Sequence, residues 1–311
     1  MDEPARTPPV VFPGSPPKPE PSDGAQSAPS HAERLRTLMR HSADPAARAR
    51  ALETLPLDRE AEARLNACAQ SLSDPDPAVR GAALKCLLES PAHDLFAHVI
   101  RTMAWGEPDR VTALDAVLPQ LAPKITSLLE ETLNTELETP RHRRAAAYCL
   151  GRMGAASSAP ALARHAWSTD GELAVTCALA LAMLRDPGTL NDWLALLEHP
   201  DNTVRVLAVR ALADLGTQAA WVALRDAAAG RRANTAPARE EAARMLASLP
   251  PGDAVPALIT TMRANRAMGA PCARLLRQIT GHNFGPDPEA WERGLFEEQL
   301  GDAPLVPDAG E

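Results

Sequence analysis

The side chains that could do chemistry in this chain are eight histidines, five cysteines and several adjacent carboxylates. A metal site needs three or four ligands at converging spacing. The nearest approach is Asp94 with His98, one helical turn apart, with His93 close by. Two ligands do not make a site, and His-Glu-x-x-His is absent, so no metal is expected. Glu130-Glu131, Glu240-Glu241 and Glu297-Glu298 are sequence neighbours. On a helix such neighbours point about 100° apart and do not converge on one substrate atom, so they read as solvated charges. There is no Gly-x-Gly-x-x-Gly, no Walker-type loop and no Gly-x-Ser-x-Gly. Phosphate-cradling turns and nucleophile elbows are thereby excluded, no cofactor is expected, and the chain reads as a non-enzyme. Cys68, Cys86, Cys149, Cys177 and Cys272 are scattered, odd in number and without Cys-x-x-Cys. They read as small buried hydrophobes of a cytoplasmic protein, not as zinc ligands or a redox centre.

Any functional surface must be positioned by a repeat. The phrase Asp-Pro-Ala-Ala-Arg-Ala-Arg-Ala-Leu at Asp44–Leu52 returns as Asp-Pro-Ala-Val-Arg-Gly-Ala-Ala-Leu at Asp76–Leu84. It returns again, more loosely, at Thr139–Ala147 and Asp201–Val209. With its central Arg as anchor, the aligned positions are Arg48, Arg80, Arg110, Arg143, Ala174, Arg205, Arg239 and Gly269, spaced 30 to 34 residues apart. A fixed period of this size is the signature of stacked repeats. Three residues after the anchor comes a small residue, such as Ala83, Ala146, Cys177 or Ala208, and seven after it an aliphatic one, such as Leu55, Leu87, Leu150 or Leu212. Spacings of three, four and seven mark one helix face. The small residue admits a neighbouring helix closely, and the aliphatic one fills the space beside it.

The start of each phrase helix is written chemically. Asp44, Asp76 and Asp201 are placed to cap with carboxylates, Thr139 and Thr235 with hydroxyls. Pro45, Pro77 and Pro140 follow at the first helical position, where no N–H is needed. The anchor lies four residues after the Asp, so Asp44–Arg48, Asp76–Arg80 and Asp201–Arg205 are expected to pair within or between repeats. A less regular helix is expected before each phrase, over Ala61–Ser71, His93–Met103, Ile125–Leu137, Ala159–Trp167, Leu190–Glu198, Ala219–Ala229 and Ala254–Met262.

The Asp-Pro-Ala-Val-Arg-x-x-Ala-Leu phrase resembles the second helix of a HEAT repeat, over about eight units from Ala32 to Gly281. The likeness is best at Asp76–Leu87 and Asn202–Leu212, and it fades at Gly106–Val117 and Asp170–Leu181. Pro271 interrupts the last unit, which is expected to kink or to start late. The run Gln278–Trp291, with its Thr280-Gly281 turn, Asp287 and Trp291, is similar to the closing element of bacterial HEAT-repeat proteins. The resemblance implies an all-α solenoid of about eight HEAT-like helix pairs whose phrase helices line the concave side. Phe284 and Trp291 would then lie over the last pair as a lid, since terminal repeats need caps. Some HEAT-like relatives act chemically, as lyases that attach bilin pigments or as DNA glycosylases with a basic groove. A net charge of −8 and 3% aromatic content weigh against the second. No residue singles out the first.

Composition divides the chain further. Residues 1–30 carry nine prolines and read as a disordered tether with polyproline II character, its one apolar spot being Val10-Val11-Phe12. Residues 31–281 form the solenoid, 282–296 the capping element and 297–311 an acidic tail. There is no secretory signal and no apolar run of eighteen residues, so no membrane contact is expected. From Arg225 to His282 nine arginines face four acids, whereas from Asn283 onward eight acids face Arg293 alone. An acidic tail that screens a basic end is the expectation. The function class is a protein-binding scaffold or adaptor, with Arg50, Lys85, Arg141, Arg144, Arg210, Arg244 and Arg277 on the polar side of the phrase helices as candidate partner contacts. The alternative is a nucleic-acid-associated protein using the basic repeats. No small-molecule substrate is indicated.

Overall fold

The computed structural model describes residues 31–54, 61–232 and 235–301. The expectations for residues 1–30 and for the tail beyond residue 301 lie outside the described residues. Eight helix pairs follow in order: α1 (His31–His41) with α2 (Pro45–Glu53), α3 (Ala61–Ser71) with α4 (Pro77–Glu89), α5 (Ala92–Trp105) with α6 (Pro108–Asp115), and α7 (Leu118–Asn134) with α8 (Pro140–Arg152). The second half pairs α9 (Ala159–His165) with α10 (Gly171–Leu184), α11 (Leu190–Leu196) with α12 (Asn202–Leu215), α13 (Gln218–Ala228) with α14 (Ala236–Ala247), and α15 (Pro251–Ala264) with α16 (Gly269–Thr280). A final helix, α17 (Pro288–Gly301), packs on α15. No strand occurs among the described residues. The chain is an all-α solenoid.

The even-numbered phrase helices form one row, α2 on α4, then α8, α10, α12, α14 and α16 each on the next. The small residues expected at the helix contacts are buried: Ala51, Ala83, Ala146, Cys177, Ala208, Ala242 and Cys272. So are Leu87, Leu150, Leu181, Leu212, Leu246 and Leu276, seven after their anchors. The closest crossing is at Gly151, where an added Cβ would stand 2.6 Å from Ala180 Cα. Only hydrogen there lets α8 and α10 meet.

The row is broken at α6, where the phrase is eroded. This helix is eight residues long, and its N-cap Glu107 makes no side-chain cap bond. It is α5 that packs on α8 here, and a groove of about 710 Å³ with Leu72, Leu84, Ala113 and Val117 in its wall separates α4 from α6. Side chains bridge the other gap, with Tyr148 and Arg152 of α8 both donating to Asp115 of α6.

The caps form largely as written. Asp44, Asp76 and Asp201 accept from the N–H groups of Ala46, Ala78 and Thr203, and Thr139 accepts from His142. A second bond recurs beside them: the residue two before the cap receives the cap's own N–H, on Ser42, Asp74, Ser168 and His199. Thr235 departs from expectation, donating its hydroxyl to Asn202 of the preceding phrase helix and capping nothing. The anchor arginines also depart. Arg80 and Arg205 turn back to loop carbonyls, at Asp74 and Pro75 and at His199 and Pro200. Arg48 binds the Ser42 carbonyl and makes its ion pair with Asp74 of the next unit. Asp44 and Asp76 act on Arg48 only through longer-range attraction. The loop, with its unpaired carbonyls, outcompetes the helix-surface pair for the guanidinium donors.

Two further expectations are revised, at α7 and at the first two cysteines, and the open one at α16 is decided. Helix α7 begins at Leu118, seven residues early, with Pro119 in its first turn. Helix α16 starts late, at its anchor Gly269, which places Pro271 in the first turn where it removes no helical bond. Cys68 and Cys86 are joined in a disulfide between α3 and α4, with Cα atoms 6.4 Å apart. They are therefore a covalent staple, whereas Cys149, Cys177 and Cys272 are buried free thiols, as small hydrophobes should be. At the C-terminal end Trp291 is fully buried, donates from Nε1 to the Gly285 carbonyl at 2.7 Å and meets the Phe284 ring edge-on. Gly281 ends α16 in the left-handed conformation, φ +80°.

Candidate interaction surface

Numbering from the anchor shows which positions the stack leaves open. The fifth residue after it is Glu53, Lys85, Asp115, Tyr148, Leu179, Arg210, Arg244 or Arg274. None of these is buried, because the third, fourth and seventh positions turn to the core and the fifth points away from them. The strip is acidic and aromatic around Asp115 and Tyr148, apolar at Leu179 and Met183, and cationic from Arg210 onward.

The seven candidate contacts fall in different surroundings. Arg50 is exposed and pairs with Asp44 at 3.8 Å. Lys85 and Arg277 are exposed with no partner among the described residues. Arg141 and Arg144 line one groove of about 900 Å³ over α8, α10 and α12, floored by Met103, Ala145, Tyr148 and Val175. Arg141 lies over the Trp105 ring, 5.7 Å from its centre, and Arg144 pairs with the exposed Glu172. Arg210 and Arg244 are brought together, both pairing with Glu241. Glu241 was expected as a solvated charge, yet it is 2% exposed. Its helix turns that position toward α12, where Oε1 accepts from Arg210 and Oε2 stands in an ion pair with Arg244 without a hydrogen bond.

Sequence reading missed the aromatic residues along the adjoining edge. Trp105, the last residue of α5, and Trp167, in the turn two residues after α9, are each about half exposed. Trp105 meets His142 edge-on at 4.6 Å and Trp167 meets His199 at 4.8 Å. Their place just before a phrase helix was the available signal. Burial, and then the hydrogen-bonded Asp115 carboxylate, raise the Tyr148 hydroxyl above its ordinary value.

Groups suited to chemistry do not gather on this surface. His98 is buried in the α3–α5 layer, and burial pushes it down to about 4, with Arg101 and Arg110 adding to the effect. His93 and Asp94 are exposed, so the trio shares no site. No group of three or more His, Cys, Asp or Glu among the described residues is arranged to hold a metal ion. Burial raises the thiols of Cys177 and Cys272 to about 12, leaving them protonated and unreactive. No helix among the described residues is long and apolar enough to cross a membrane.

Comparison with solved structures finds an engineered protein, 20% identical, covering 89% of this chain and 85% of that one, with a TM-score of 0.39. It also finds YibA of E. coli, 17% identical over 79% of this chain and 92% of that one, TM-score 0.37. A third is the complex of CpcE and CpcF of phycocyanin lyase from Nostoc sp. PCC7120, 18% identical over 81% of this chain and 100% of that one, TM-score 0.31. Among curated proteins, none matches this chain. Residues 65–89, most of α3 and all of α4, match the HEAT repeat family model.

Proposed function

We propose that this chain is a non-enzymatic scaffold or adaptor that binds a segment of a partner protein along the exposed strip of its phrase helices. The observation that carries the reading is the repeated fifth position. From α8 to α16 it presents one side chain on each of five phrase helices that pack directly on one another, on a surface whose polarity changes from apolar to cationic. Such an extended, shallow surface suits a peptide or helix more than a small molecule. Residues 31–281 serve as the binding body. The turn and helix that carry Phe284 and Trp291 cover the apolar end of the last pair, as terminal repeats require.

Affinity capture from native lysate, with the full chain as bait, tests this. The bait is used with and without nuclease, at low and moderate salt. A discrete protein that survives nuclease and salt supports the scaffold. A catch that vanishes with either replaces it with nucleic-acid binding through the basic repeats.

A further inference from the structure

Three arginines occupy the same place on three successive phrase helices. Arg210, Arg244 and Arg274 each stand five residues after their anchor, on α12, α14 and α16, which pack directly on one another. All three are exposed. Between the first two lies Glu241, the one buried carboxylate among the described residues. Its Oε1 accepts from Arg210 Nε, and its Oε2 pairs with Arg244 Nη1. A buried carboxylate is costly unless cations satisfy it. Here it draws two guanidinium groups to one place, Arg210 by a hydrogen bond and Arg244 by an ion pair alone, while more than half of each arginine side chain stays exposed. Each guanidinium carries five N–H donors. Sharing one carboxylate leaves donors on both, and two cations against one anion leave a positive charge at the surface. A second carboxylate completes the pairing. Arg274 continues the row, with no partner among the described residues.

We infer that this row receives an extended acidic segment of the partner protein, with an Asp or Glu at every third residue. Stacked helices lie about 8–10 Å apart. A polyproline II segment has three residues per turn and advances about 3.1 Å per residue, so every third side chain returns to the same face about 9 Å on, the step from one arginine to the next. The row is one side chain wide, and Asp214 and Glu240 stand on the same helices. That pattern tolerates spaced carboxylates and repels a backbone charged at every unit. The inference rests on the scaffold reading and names its partner's chemistry.

The full chain is titrated by fluorescence anisotropy with a labelled peptide of repeated Glu-Ser-Thr triplets, at low and moderate salt. A peptide of the same composition with its glutamates contiguous is the control, and single-stranded oligo-dT is the third probe. The triplet peptide should bind about tenfold tighter than the contiguous one, and Arg244→Ala and Arg274→Ala should each weaken it about tenfold. Arg244→Lys, which keeps the charge and loses the fork, should weaken it nearly as much. Glu241→Gln makes the patch more positive, so simple attraction would tighten both peptides. A clamp that sets register instead loses its preference between them. Circular dichroism confirms that each variant is folded. Equal affinity for the two peptides, unchanged binding by Arg244→Ala, or no binding at low salt overturns the inference, and preference for oligo-dT replaces it with nucleic-acid binding. If an Arg210→Ala/Arg244→Ala chain still captures its lysate partner, this inference alone has failed. If the wild-type chain captures none, the scaffold reading has failed with it.

Discussion

Arg48 and Asp74 face each other across the first two units in a two-point ion pair, Nε to Oδ2 at 2.9 Å and Nη2 to Oδ1 at 2.8 Å. Asp74 Oδ1 also accepts the N–H of Asp76, so one carboxylate ties a loop, a cap and the neighbouring unit together. The Arg48 guanidinium holds the Asp74 carboxyl below the usual carboxylate range. A folded-state value below the unfolded one stabilises the fold above the unfolded value, about 3.9. That contribution disappears as pH falls through the folded value. Asp74→Asn should therefore lower the thermal midpoint at neutral pH and converge with wild type in acid. A gap that stays constant from neutral to acidic pH would show that the pair is not responsible.

The fold was legible in the sequence because its rule is local. Period, small residue and aliphatic residue recur within each helix, so Ala83 and Leu87 could be placed in the core without knowing their neighbours. Asp74 could not be read in the same way. Its partner comes from the preceding unit, and a guanidinium chooses between a nearby carboxylate and loop carbonyls only once the loop is formed. The same holds for Glu241, whose neighbour Glu240 is only half-buried. One helical step decides between solvent and the α12 contact, and adjacency alone does not reveal which residue takes it. The Cys68–Cys86 staple was hidden because the two residues lie 18 apart on different helices and belong to no short motif.

His98 offers a test of the α3–α5 layer. Its folded value of about 4 lies below its ordinary value of 6.5, because burial disfavours the charged ring. The unfolded chain takes up the proton first, so stability falls as pH drops from 6.5 and levels off near 4. The linked loss is about 3 kcal/mol. Urea unfolding midpoints across that range should decline for wild type and clearly less for His98→Leu, in which only the smaller contribution of groups such as His165 is left. Parallel declines in both proteins would assign the effect elsewhere.

Gly151 is the residue on which the tightest helix contact depends. A methyl group there would meet Ala180 Cα at 2.6 Å and its carbonyl oxygen at 2.9 Å, and backbone cannot step aside. Gly151→Ala should destabilise by about 1–3 kcal/mol, despite the better helix propensity of alanine. Gly81, on the equivalent surface of α4, meets nothing within 4 Å. Gly81→Ala should therefore be neutral or stabilising by about 0.5–1 kcal/mol. Denaturant titration of the two variants reads the difference. If both gain stability, α8 and α10 do not cross this closely in solution.

Trp291 anchors the C-terminal turn by filling a fully buried site and donating to Gly285. Trp291→Ala should cost about 3–5 kcal/mol. Gly294→Ala should act on the same place from the other side, since its new Cβ would stand 2.4 Å from Phe284 Cζ. Both should raise hydrogen exchange first in α15 and α16, the helices nearest the altered end. Exchange that rises evenly along all eight pairs would mean that the turn does not protect that end.

The Cys68–Cys86 disulfide bears on where the protein works. Cytosolic thiols are kept reduced, whereas a structural disulfide persists in an oxidising compartment. The unreduced protein, denatured and treated with a thiol reagent, should show three reactive cysteines, and five after reduction. Closing an 18-residue separation between α3 and α4 constrains the unfolded chain by about 3 kcal/mol. Reduction, or Cys68→Ser with Cys86→Ser, should lower stability by that order and loosen the first units before the rest. Protein denatured and thiol-blocked at the moment of lysis separates the two compartments: three modified cysteines favour an oxidising one. Five would restore the cytoplasmic expectation and make the pair two small core residues that can bond but do not in the cell.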